Sequence, residues 1–234
     1  MIERDIAIPN IFVMGLPRSG TTIYAKYLCS KRDLPFFQEA QWLPILLKGK
    51  DLSSAHIRKI NQLWGHMMES DQYPGSFMQL DNMLKNKYKN RWLDHTPQNY
   101  KLLNNELLSD SEIFLIIRRP EDIYLSMRRT SWGKITPIRF EFQILKFLIY
   151  YCFTKSKLTI VKYEEFIDSE NGNIYNPKEN NFGDYGTNEH HKQTTRPISK
   201  SHKHTDHEKI SLLYLMILRL LPSFNVYKRI FGYD

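Results

Sequence analysis

Cysteine is scarce in this chain of 234 residues: Cys29 and Cys152 are the whole complement, too few for a disulfide framework. Long hydrophobic runs are missing as well. The longest apolar stretches, 147–153 and 212–221, are too short to span a bilayer, and the second contains Arg219. At the N-terminus Glu3, Arg4 and Asp5 break any apolar run, so no secretory signal is expected. There is no internal repeat and no nucleic-acid-binding motif. Acidic residues are in deficit, 25 Asp and Glu against 33 Lys and Arg, for a net charge of +8. Such a surplus suits an anionic ligand or surface, or else a solvated basic face. The expectation is a cytoplasmic, reducing compartment, with a peripheral membrane contact through the last helix left open.

One α/β domain covering 1–234 fits this length. Apolar residues at nearly every position of 8–14 and 113–117 predict strands buried on both faces, as in a parallel sheet. Shorter strands are expected at 34–37, 91–94 and 158–161, the last running out through Lys162, Tyr163, Glu164, Glu165 and Phe166. Helical spacing covers 23–30, 39–47, 53–68, 71–90, 100–108, 139–153 and 210–221, and a further helix starts at Glu121. Between 168 and 209 the chain turns polar and reads as a mobile surface excursion. Its histidines are irregularly spaced with no cysteine among them, so no metal site is expected. Alternating strands and helices imply a parallel sheet with helices on both faces and ligands at the carboxyl ends of the strands. That rule gathers Arg18, residues 94–97 and residues 118–126 on one edge.

The most informative stretch is Gly15-Leu16-Pro17-Arg18-Ser19-Gly20-Thr21-Thr22, between the first apolar run and a helical pattern. A glycine turn in that setting aims backbone N–H groups and the positive end of a helix dipole at one point, which suits a phosphate. The spacing is that of a P-loop, but Thr21 stands where the usual Lys would follow the second glycine. Arg18 is the only formal charge in the loop. About a hundred residues later Arg118, Pro120 and Ser126 follow the second buried run.

These segments resemble the sulfotransferase family, whose members move a sulfuryl group from 3′-phosphoadenosine 5′-phosphosulfate, PAPS. Gly15 to Thr22 fits the family's 5′-phosphosulfate loop, G-x-P-[RK]-S-G-T-T, throughout. Arg118, Pro120 and Ser126 fit its 3′-phosphate segment, and Tyr163-Glu164-Glu165-Phe166 is a weaker third match. The resemblance implies an α/β, three-layer sandwich with a central parallel sheet, the P-loop NTPase-like sulfotransferase fold. It implies PAPS as co-substrate without a metal, and a hydroxyl-bearing acceptor such as a carbohydrate, a lipid-linked glycan or a small metabolite. Gly15, Pro17, Ser19, Gly20, Thr21 and Thr22 would hold the 5′ end and Arg18 would neutralise the oxygens that gain charge. Arg118 offers a planar fork for the 3′-phosphate and Ser126 a short donor.

A base must also reach the acceptor hydroxyl. Glu39, 21 residues after Arg18, resembles the catalytic Glu of the protein-tyrosine sulfotransferase branch, and its aromatic surroundings would raise its pKa. His95, in Asp94-His95-Thr96-Pro97, stands where that branch carries a Lys on the leaving group. It is a second candidate for the base, or the leaving-group partner. Two other readings stay open: a P-loop nucleotide kinase or hydrolase, with Asp94 as its strand-end acid, and a non-catalytic anion-binding module.

Overall fold

The computed structural model describes residues 10–34, 43–46, 53–55, 58, 76–87, 91–130, 135–169 and 212–233. In chain order the elements are β1 (Ile11–Gly15), α1 (Thr21–Arg32), α2 (Leu43–Leu46), α3 (Phe77–Lys87), β2 (Leu93–Asp94), two 3₁₀ segments (Pro97–Leu102 and Glu106–Leu108), β3 (Glu112–Ile117) and α4 (Pro120–Arg128). They continue with α5 (Pro137–Cys152), β4 (Leu158–Lys162), α6 (Tyr163–Asp168), α7 (Leu212–Leu220) and α8 (Pro222–Phe231). The strands form one parallel sheet in the order β2-β1-β3-β4. β1 is flanked by a strand on each side, so the chain diverges at its carboxyl end. In such sheets the point of divergence, here beyond Gly15, is the usual ligand position.

Alternation along the strands splits the core in two. Phe12 and Met14 of β1, with Ile113, Leu115 and Ile117 of β3, face a layer that includes Tyr124 of α4, Phe147 of α5 and Tyr227 of α8. Ile11 and Val13, with Phe114 and Ile116, face Tyr24, Ala25 and Leu28 of α1 and Phe166 of α6. The sheet is therefore the middle of three layers, as the strand pattern leads one to expect. Trp92 is fully buried, edge-on to Phe12, with its Nε1 donating to Asp81 Oδ1 at 2.8 Å. It is a core residue and not a stacking platform for a ligand.

Several boundaries depart from expectation for identifiable reasons. Residues 100–108 do not form an α-helix. Leu103 N bonds Tyr100 O and Asn105 N bonds Leu102 O, closing i+3 turns, and the adjacent Asn104 and Asn105 disfavour a longer helix. Tyr163 to Phe166 does not extend β4 but opens α6, with Glu164 and Glu165 in the first turn, where carboxylates suit the dipole. The last expected helix stops at Leu220, and Pro222 at the first helical position starts a second, α8. Leu34 lies outside any strand, and the rest of the 34–37 expectation falls outside the described residues, as do most of 53–68 and residues 170–209 of the polar excursion. Among the described residues no helix is long and apolar enough to cross a membrane.

Candidate functional site

The glycine loop joins β1 to α1 as its spacing demands. Ser19 N donates to Leu16 O at 3.0 Å, and Ile23 N and Tyr24 N both donate to Gly20 O at 3.1 Å. Arg18 and Gly20 take left-handed backbone angles, φ 72° and φ 103°. For Arg18 that conformation costs roughly 1–2 kcal/mol, a strain typical of functional loops. A Cβ on Gly20 would lie 2.2 Å from the Tyr163 ring, and one on Gly15 would lie 2.3 Å from Ile116 O. Gly20 caps α1 without a side chain, and the first turn of α1 holds no carboxylate, so the positive end of the dipole is open to an external anion. Thr21 is buried and Thr22 half-buried. Ser19 is fully buried and its hydroxyl has no hydrogen-bond partner among the described residues, an orphan that an anion's oxygen would satisfy.

Sheet register explains what faces this loop. Gly15 is level with Ile116 and Ile116 with Val161. Ile117 is level with Lys162, so Arg118 and Tyr163 follow side by side as their strands end. The Arg118 guanidinium accordingly lies over the Tyr163 ring, 4.5 Å from its centroid, and its Nη1 donates to Arg18 O at 3.3 Å. Arg18 Nε in turn donates to Ser126 Oγ at 3.0 Å. Arg18, Arg118 and Ser126, up to 108 residues apart, thus form one edge. Among the described residues Arg118 Nε is buried without a partner, and no carboxylate pairs with this guanidinium, Asp122 included. Burial raises the Tyr163 pKa, opposed by Arg118, so the ring is neutral and acts as an apolar strut between loop and guanidinium.

A network that the sequence reading missed braces this edge from behind. Tyr227 OH donates to Arg118 O at 3.2 Å and accepts from Arg118 N at 3.4 Å. Glu164 accepts from Arg119 N at 3.0 Å and from Tyr233 OH at 2.8 Å. Burial keeps both tyrosines protonated, and for Tyr233 the Glu164 charge adds to it. The signal lay in Phe224, Tyr227 and Phe231, one helical face immediately after Pro222.

On the other flank of β1, β2 ends in Asp94-His95-Thr96-Pro97. Asp94 accepts from Thr96 N at 2.9 Å, Thr96 Oγ1 at 3.3 Å and Asn99 Nδ2 at 2.6 Å. All three bonds favour the carboxylate, yet burial outweighs them and pushes the pKa up to about 6. A group that binds its proton more tightly when folded contributes stability that is fully present below about pH 4 and is lost as pH rises through 6. The full loss is no more than about 3 kcal/mol. Asp94→Asn keeps the shape and most of the bonds. Its unfolding free energy, followed by denaturant titration from pH 4 to 7, should lack the downward slope of the native chain; an unchanged slope would place the titrating group elsewhere.

His95 is buried, 1% exposed, in the same turn. Its place after β2 puts it at the carboxyl end of the sheet, the end that also carries Arg18 and Arg118. Glu39 lies outside the described residues. Arg128 is turned away, its guanidinium 4.6 Å from the Tyr214 ring centroid. Among the described residues no cluster of side chains could hold a metal ion.

The edge presents groups suited to anions at two places, the loop with its helix end and the Arg118 guanidinium. A family model described as the sulfotransferase family matches residues 9–174, which include the loop, the 118–126 segment and Tyr163. Comparison with curated proteins finds no match.

Proposed function

The chain belongs to the sulfotransferase family, and from that premise we propose that it transfers the sulfuryl group of PAPS to an acceptor hydroxyl by in-line displacement. One observation carries the reading: a lysine-free glycine loop and a distant Arg-Ser pair are joined on one edge by Arg18 and Arg118. A donor with one anion on each side of an adenosine needs that pairing, and a nucleoside triphosphate does not. The orphaned Ser19 hydroxyl and Arg118 Nε support the fit, since each is a buried polar group ready for a ligand oxygen.

In this reading residues 1–234 act as one domain. Gly15, Pro17, Ser19, Gly20, Thr21 and Thr22 shape and line the seat for the 5′-phosphosulfate. Arg18 stabilises negative charge on the leaving phosphate oxygens as the bond from sulfur to the bridging oxygen breaks. Arg118 and Ser126 hold the 3′-phosphate. Glu39 takes the acceptor's proton as its oxygen bonds to sulfur, and His95 donates to the bridging oxygen. The products are a sulfate ester and adenosine 3′,5′-bisphosphate. A kinase would need a strand-end acid free to hold Mg²⁺, but Asp94 already serves Thr96 and Asn99.

The decisive experiment offers sulfur-labelled PAPS to the purified chain with a panel of carbohydrate, lipid-linked and small hydroxyl acceptors. Label should pass to at least one acceptor class without added divalent metal. Retention of ATP with Mg²⁺ in place of PAPS would sink the reading.

A further inference from the structure

Exposed apolar side chains are not scattered over this chain. Among the described residues eleven large hydrophobic side chains are exposed, and nine of them lie on α5, its C-terminal cap, α7 and α8. Along α5, Ile138, Phe142, Leu145 and Ile149 recur at intervals of four, three and four, and Phe153 continues the row past the helix end. Phe142 is 58% exposed and Phe153 71%, large areas for aromatic rings on a soluble surface. The opposite side of α5, Phe140, Ile144, Phe147 and Leu148, is already committed to the core. The helix is therefore apolar on two sides and only one of them is used. α7 and α8 pack beside it and add Met216, Leu220, Val226 and Ile230.

Charge decides what covers this face. The three helices carry one carboxylate, Glu141, and its oxygens accept from Ser223 N and Phe224 N. Their exposed charges, Arg139, Lys146, Arg219 and Arg229, are all positive. A second copy is a poor occupant. An isologous pairing would set this face against itself, so that Arg139, Lys146, Arg219 and Arg229 met only like charge, with Glu141 already engaged. An apolar row flanked by exposed Arg and Lys instead matches the cross-section of an anionic bilayer surface, where rings and branched chains enter the acyl boundary and long basic side chains reach the headgroups.

We propose that the outward face of α5, continued onto α7 and α8, docks the protein in the plane of an anionic lipid membrane. Insertion of Phe142, Ile149 and Phe153 supplies the apolar contact, and Arg139 and Lys146 supply the preference for negative headgroups. No helix needs to cross the bilayer. This face is distinct from the donor edge and the inference does not depend on the reaction assigned there.

Flotation of the purified full-length chain with vesicles tests it, using phosphatidylcholine alone or mixed with phosphatidylglycerol at low salt. The native chain should partition onto the mixed vesicles on the order of tenfold or more better than onto the neutral ones, and raised salt should narrow the gap. Phe142→Glu with Ile149→Glu should remove binding to both. Arg139→Glu with Lys146→Glu should remove the anionic preference at unaltered far-ultraviolet dichroism. All four positions are exposed, and an unaltered thermal melt reports whether each variant keeps its fold. Native chain that stays in the load fraction with both vesicles overturns the proposal, as does equal binding to both that the basic variant leaves unchanged. Light scattering that shows a dimer dissolved by the Phe142 variant, without vesicle binding, assigns the face to a second copy and overturns it too.

Discussion

Replacing Arg18 by Ala should lower kcat on the order of 10²–10³-fold, the usual loss when one aimed donor to developing charge is removed, with a much smaller change in donor affinity. The guanidinium sits on the strained residue of the loop, at φ 72°, and its Nε reaches Ser126 across the edge. A side chain whose task was to bind the donor equally in ground and transition states would change KM and spare kcat. Arg18→Lys keeps the charge and loses the fork, so it should recover part of the rate. Arg18→Gly would additionally relieve the left-handed strain. If it is more stable to heat than Arg18→Ala but equally slow, the loop geometry and the chemistry separate cleanly. A kcat within about threefold of native in the Ala variant, well short of one donor's usual worth, would remove Arg18 from the chemical step.

The second large effect concerns selectivity among ligands. Arg118→Ala should weaken adenosine 3′,5′-bisphosphate by about 10²-fold, as expected for loss of a two-pronged charged contact. An analogue lacking the 3′-phosphate should bind nearly as before. The comparison matters because Arg118 also does structural work. It bonds Arg18 O and covers the Tyr163 ring, and its backbone is held by Tyr227. A merely structural guanidinium would slacken the loop and weaken both ligands alike. Calorimetric titration of the two ligands on one variant therefore distinguishes a phosphate fork from a brace, and equal losses would count against the fork.

Much of the donor edge is legible in the chain because its parts are local. A strand, a glycine turn and a helix are consecutive, and their phosphate-facing character follows from backbone geometry alone. Gly15 and Gly20 are required wherever an added Cβ would strike Ile116 O or the Tyr163 ring, and a motif records such steric demands. The same holds for the buried strands, whose unbroken apolar character on β1 and β3 reflects cover on both faces. The Asp94 turn is also a short-range device, written in Thr96 and Asn99. The family match over 9–174 agrees with this local content.

Other features have no local signature. Tyr163 reads as the end of a strand, yet it becomes the strut under Arg118 because parallel register brings positions 118 and 163 level. The C-terminal helix acquires meaning only when Tyr227 meets the Arg118 backbone, 109 residues away. Likewise α5 reads in sequence as a mostly apolar helix with a few charged residues, and its two apolar sides look alike. Only the packing reveals that one side stays uncovered. By itself, then, the chain determines the sheet's character, the phosphate-seating turn and the residue types that serve an anion, since these follow from backbone sterics and periodicity over a few residues. The tertiary structure alone decides which of those residues meet, what props them and which apolar surface is left outside. Those outcomes depend on register and on competition for burial among segments far apart in the chain.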